Sequence, residues 1–121
     1  MSNSFSVDEL LSILHAKVIL DRGWLRGEIN TVYGSDLMSD ILSYSKPNSL
    51  LLTGLINPQT IRTAEMVEIA AICYIHGKQP HTETIALAGS CEMPLLGTEM
   101  SMFEACGKLY NAGMMDFKNL P

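Results

Sequence analysis

The sequence predicts an α/β domain: three layers, with a mainly parallel central sheet flanked by helices. Three observations predict it. The apolar runs Leu50–Gly54, Ala71–Ile75 and Met93–Gly97 are short, and each closes on polar or Gly-rich residues. A helix-start signal follows each run: Asn57-Pro58, then Thr82 and its neighbours, then Ser101 with Glu104. The segments between the runs are long enough for a helix, which neighbouring parallel strands need for a right-handed crossover.

The elements follow in order. Ser6 and Glu9 form a capping box, and Phe5 with Leu10 matches the hydrophobic staple. Leu10, Leu11 and Leu14 give that helix its apolar stripe, and it should end near His15-Ala16. Lys17–Leu20 reads as a short strand, closed by Asp21-Arg22-Gly23. Ile29–Tyr33 is a second strand, broken by Gly34-Ser35, and Ser35 or Asp36 can cap a helix through about Tyr44. Lys46-Pro47-Asn48-Ser49 is a turn. Leu50-Leu51-Leu52-Thr53 is continuously apolar, as a strand buried on both faces should be. Asn57 is a good N-cap and Pro58 suits the first helical position. The helix they open should reach about Ile69 and bury Ile61, Ala64 and Val67. A helix capped at or near Thr82 should end near Gly89. Ser101 and Glu104 repeat the capping box for a last helix, Met102–Ala112, which Gly113 stops from the C′ position. Met114–Pro121 lacks periodicity and reads as a loose or partner-bound tail. One domain is expected over 1–121, with its core in 50–113.

Composition narrows the function. The chain has 121 residues, 47% of them hydrophobic, enough for a core of its own. A formal net charge of -5, with Lys and Arg scattered, argues against nucleic acid or an anionic membrane as partner. No apolar run approaches the roughly 20 residues of a membrane span, and Met1-Ser2-Asn3-Ser4 does not begin a secretory leader. Cys73, Cys91 and Cys106 are odd in number and far apart, without metal-ligand spacing. They read as the reduced thiols of a cytoplasmic protein, and no metal or cofactor is expected.

From Leu50 to Gly113 the chain resembles DRTGG-domain proteins. That family's pattern is a strand ending in Gly-Asp-Arg, a helix, a strand ending in Thr-Gly-Gly, a Pro-started helix, and a short strand opening on a helix. The corresponding stretches are Leu52–Ile56, Ile72–Gly77 and Pro94–Thr98. The name-giving Asp and Arg fall on Leu55 and Ile56, and the Thr and first Gly on Ile75 and His76; Gly77 alone is kept. The rest looks like a stand-alone subgroup with its own pattern: Asn57-Pro58 through Glu65, Gly77-Lys78, and Ser101–Gly107. The resemblance implies a fold similar to the N-terminal domain of HPr kinase/phosphorylase, a regulatory role and a homodimer. It carries no catalytic residues.

In parallel sheets, ligands bind beyond the strand C-terminal ends. The candidate ligand-binding residues therefore come from three loops: Gly54, Asn57, Arg62 and Thr63; His76, Gly77 and Lys78; Thr98 and Ser101. A helix N-terminus near Gly54–Thr63 offers free N–H groups to an anion, while the apolar Leu55 and Ile56 favour an ordinary turn. Gly77-Lys78 lacks the P-loop frame. The candidate interface is Met102, Phe103 and Gly107. Gly107 costs its helix roughly 1 kcal/mol against Ala, which suggests close packing on another backbone, within the monomer or across a dimer. Met100, Met102, Met114 and Met115 bracket that helix and either form an adaptable contact surface or fill the core.

The favoured function is a non-catalytic regulatory or interaction domain. It would act as a homodimer, sense a small anion such as a nucleotide, and answer to an enzyme partner. One alternative is a small enzyme or phosphotransfer accessory using His76, Lys78 and Arg62. Another is an accessory of a redox or hydrogenase system, acting through protein contacts.

Overall fold

The computed structural model describes residues 4–114. In chain order the elements are α1 (Val7–Leu14), β1 (Lys17–Leu20), β2 (Val32–Gly34), α2 (Met38–Tyr44), β3 (Leu50–Thr53), α3 (Pro58–Met66), β4 (Ala71–Tyr74), α4 (Thr82–Cys91), β5 (Leu95–Gly97) and α5 (Met102–Asn111). One sheet runs β1-β5-β4-β3-β2. β2, β3, β4 and β5 are parallel neighbours, and β1 joins antiparallel to β5. The fold is α/β with a mainly parallel sheet.

β3 and β4 are buried at every position. Their side chains alternate between two clusters, following the period-two geometry of a strand. Leu50, Leu52, Cys73 and Leu96 join Leu10, Leu14, Ala105 and Leu109 of α1 and α5. Leu51, Ile72, Tyr74 and Leu95 join Ile41, Ile61, Ala64 and Ala88 of α2, α3 and α4. Continuous apolar runs, rather than alternating ones, are what two covered faces require.

The caps set the helix starts. Ser6 Oγ accepts from the Glu9 N–H at 3.2 Å, and Glu9 Oε1 accepts from the Ser6 N–H at 2.9 Å. Asn57 Oδ1 accepts from the Thr60 N–H and Ser101 Oγ from the Glu104 N–H. Gly113, at φ +105°, closes α5. Several ends differ from expectation. β2 begins at Val32, because Ile29 pairs instead with Phe5 in an isolated antiparallel bridge. α2 starts at Met38 with Leu37 at the cap; the Asp36 carboxylate is engaged elsewhere and Ser35 Oγ accepts from the Leu37 N–H. α3 stops at Met66, with Glu68 at φ +59°, and Val67 is only half-buried. α4 runs on to Cys91 before Glu92 turns left-handed at φ +55°. Of the expected tail, 115–121 lies outside the described residues; Met114 is 1% exposed in the first cluster.

Tyr74 is fully buried, and its hydroxyl meets no hydrogen-bond partner among the described residues. A buried unpaired hydroxyl costs about 1–3 kcal/mol. Tyr74→Phe should therefore leave the protein as stable as before, or more so, in urea titration. A loss beyond about 1 kcal/mol would mean that the hydroxyl has a partner.

Candidate functional site

The register brings the ends of all four parallel strands to one edge: Gly34 pairs with Leu52, Thr53 with Tyr74, and Tyr74 with Gly97. The loops carrying the candidate ligand residues therefore share that edge. The chain steps β2, β3, β4, β5 in one direction across the sheet, so its order never reverses between parallel strands. The crevice of a doubly wound sheet opens where the order reverses. Here the three crossover helices lie over one face, and the strand-end loops close on one another.

The local bonds show this closure. Asp36 Oδ1 accepts from the Gly54 N–H at 2.6 Å and from Thr53 Oγ1 at 3.4 Å. An internal carboxylate thus takes the amide that an external anion would use. The Lys78 ammonium also approaches Gly54: a Cβ there would sit 3.1 Å from Lys78 Nζ and 3.3 Å from Asp36 Oδ1. Asn57 spends its side chain on the N–H and hydroxyl of Thr60. The Ile56 carbonyl accepts from Thr84 Oγ1 at 2.7 Å and from the His81 N–H, tying the loop to α4. Thr63 is buried in α3. Arg62 is placed by its charge near Cys91, at the far end of α4, rather than at the strand ends.

His76 and Gly77 are left-handed in succession, at φ +58° and +64°. Their N–H groups reach the Met100 and Thr98 carbonyls, both at 2.8 Å, and lock the β4 and β5 loops together. The Glu99 carboxylate covers Gly77 so closely that a Cβ there would lie 2.5 Å from Oε1. Thr98 is buried; its hydroxyl donates to the Leu14 carbonyl at 2.6 Å and accepts from the Met100 N–H at 3.2 Å. Ser101 caps α5. Asn57, Thr98 and Ser101 are thus engaged in holding the loops.

Two clefts open at the flanks of the sheet instead. One, of about 510 Å³, lies between edge strand β2 and α5, lined by Tyr33, Gly34, Met102, Phe103, Gly107 and Tyr110 among others. It is chiefly apolar, and Phe103 stands 89% exposed at its side. A Cβ on Gly107 would meet nothing within 4 Å, so packing inside the monomer does not account for this glycine. Gly34 is the crowded one, since a Cβ there would lie 2.8 Å from Met102 Sδ. The second cleft, of about 280 Å³, is polar and lies between β1, the β5 end and the turn after β4. It adds His15, Lys17 and Glu99 to Gly77, Lys78 and Thr98. The pairing of β1 with β5 places Lys17 beside Gly97, and no local signal in the sequence announces that pairing.

No protein-family model matches the chain, and neither does any curated protein. Solved structures do. One is the CBS and DRTGG domains of the regulatory region of Clostridium perfringens pyrophosphatase, complexed with its activator, diadenosine tetraphosphate. The likeness is one of fold. It has a TM-score of 0.68 at 15% identity, covering 88% of this chain and 46% of that one. The chain thus spans about half the length of its structural relative.

Among the described residues, no group of three His, Cys, Asp or Glu could hold a metal ion. Burial pushes the Cys73 thiol up to about 12 and raises Cys106 as well. Cys91 is raised by burial and then by Glu65, against the opposing pull of Arg62. Raised thiols are poor nucleophiles at neutral pH. Ellman's reagent at pH 8 should react more slowly with all three cysteines in the native protein than in urea. Above about pH 9 an unfolded thiol ionises while folded Cys73 stays protonated. Its contribution is therefore complete below pH 9 and is lost as pH rises towards about 12. Urea midpoints should fall over that window, and less steeply in Cys73→Ala. An equal slope in the variant would remove Cys73 from the account.

Proposed function

We propose that this chain is a three-layer, non-catalytic regulatory module that acts as a homodimer and senses a small anionic ligand such as a nucleotide. The observation that carries the reading is the apolar face around edge strand β2. The groove there has both a hollow and protruding rings, Phe103 and Tyr110, the latter 71% exposed. On the other side of β2 the Tyr33 ring packs 6.5 Å from that of Tyr44, next to exposed Leu42 on α2 and exposed Leu37 at its cap. A face with knobs and hollows of its own suits a twofold contact, in which each copy fills the other. Exposed aromatic patches of this kind mark association surfaces. The neutral thiols support a non-catalytic role, and the fold likeness to a regulatory region supports a regulatory one.

Sedimentation equilibrium should find a dimer at micromolar concentration. Phe103→Glu changes a side chain the monomer does not bury, so that variant should fold. It should dissociate the dimer at least about tenfold more readily, since a desolvated charge is costly. A monomeric parent protein would reject the dimer. For the ligand, a thermal-shift series with nucleoside mono-, di- and triphosphates and diadenosine tetraphosphate is decisive. A ligand at 100 times its Kd adds about 2.7 kcal/mol of stability. No shift with any of these would reject nucleotide sensing.

A further inference from the structure

We propose that the polar cleft between β1 and the turn after β4 is the ligand site, and that its ligand is a phosphomonoester no larger than a nucleoside monophosphate. This rests on the sensing reading above and narrows it. Ligand pockets commonly run from about 300 to 1,000 Å³; at about 280 Å³ this cleft suits a compact ligand better than a dinucleotide. Gly97 lines its base, where Ile19 presses from β1: a Cβ on Gly97 would lie 3.0 Å from Ile19 Cδ1.

The charges suit a dianion. Lys17 lines the cleft from β1 and Lys78 from the turn, and neither ammonium has a carboxylate within 4.0 Å among the described residues. The Lys78 ammonium rests beside Gly54, and a bound phosphate would draw it into the cleft that its own turn lines. Gln79 and Glu99 also line the cleft, and their backbone N–H groups meet no acceptor among the described residues. Two ammonium groups and two free amides match the donor demand of a phosphate with three terminal oxygens. The Glu99 carboxylate opposes an anion. It is exposed and free to turn from Gly77 towards solvent, so it tunes affinity rather than blocking entry. The site also has a mechanical outlet. A phosphate bridging Lys17 and Lys78 would fasten β1 to the turn after β4, beside the Thr98–Leu14 hydrogen bond that already joins the β5 loop to the end of α1.

Isothermal titration with AMP, inorganic phosphate and adenosine tests this. AMP and phosphate should bind, and adenosine should not. Lys17→Ala/Lys78→Ala should weaken AMP by about tenfold or more, and Glu99→Gln should tighten it. Both variants alter exposed side chains, and their melting temperatures without ligand report that they fold. Three results would overturn the cleft: no heat from AMP or phosphate at millimolar concentration, undiminished AMP affinity in the double variant, or adenosine binding as well as AMP. If diadenosine tetraphosphate binds the parent protein while AMP and phosphate do not, the sensing reading survives and the cleft falls.

Discussion

Everything in this fold follows from two central strands buried on both faces. β3 and β4 expose no residue, so both sides of the sheet need cover. The crossovers between parallel strands supply only one side. Because the chain steps steadily from β2 to β5, right-handed connections place α2, α3 and α4 together. The other face must be covered by elements from the two ends of the described chain, α1 and α5. The buried Thr98 hydroxyl joins them to the sheet, donating to the last turn of α1 from the loop that leads into α5. Two helices span a five-stranded sheet less completely than three. α5 leaves the β2 edge short of cover, and the antiparallel addition of β1 leaves a gap beside β5. Both clefts are consequences of this one asymmetry.

The same winding explains the closed strand ends. An order reversal pulls two crossovers to opposite faces and leaves a gap between their loops. Without a reversal, neighbouring loops meet and satisfy one another, as Asp36 does for Gly54 and as Gly77 does for Thr98. Residue types that suggest ligand binding at such an edge are used first for closure. Lys78 is left over, an ammonium between the closed edge and the open cleft.

The sequence was legible where local chemistry decides. The double-sided apolar runs and the Ser6, Asn57 and Ser101 caps placed three strands and three helix starts. It was less legible where a tertiary partner outbid a local one. Asp36 looks like a cap and serves the Gly54 amide; Ile29 looks like strand β2 and bridges to Phe5. Helix and loop ends at His15, Glu68, His76 and Glu92 are left-handed without glycine, so the usual stop signal is missing. The loops carrying the candidate residues share one edge, as parallel pairing requires. That Lys17, His15 and Glu99 line one cleft could not be read, because it depends on where β1 docks. Arg62, in the second turn of α3, is carried by the helix towards Cys91.

Gly34 and Gly107 show how the apolar face is built. A glycine in a strand and another in a helix each weaken their element. Gly34 has an internal reason, because α5 seats Met102 and Cys106 directly above it. Gly107 has none inside the monomer: the space over it is open, and it lines the groove opposite Tyr33 and Gly34. A helix former at 107 would strengthen α5 and partly fill the hollow. The glycine therefore costs the monomer stability while keeping the groove deep, and the surrounding rings of Phe103 and Tyr110 stay in water. In the proposed dimer, both costs would be recovered when the partner copy's surface enters the groove.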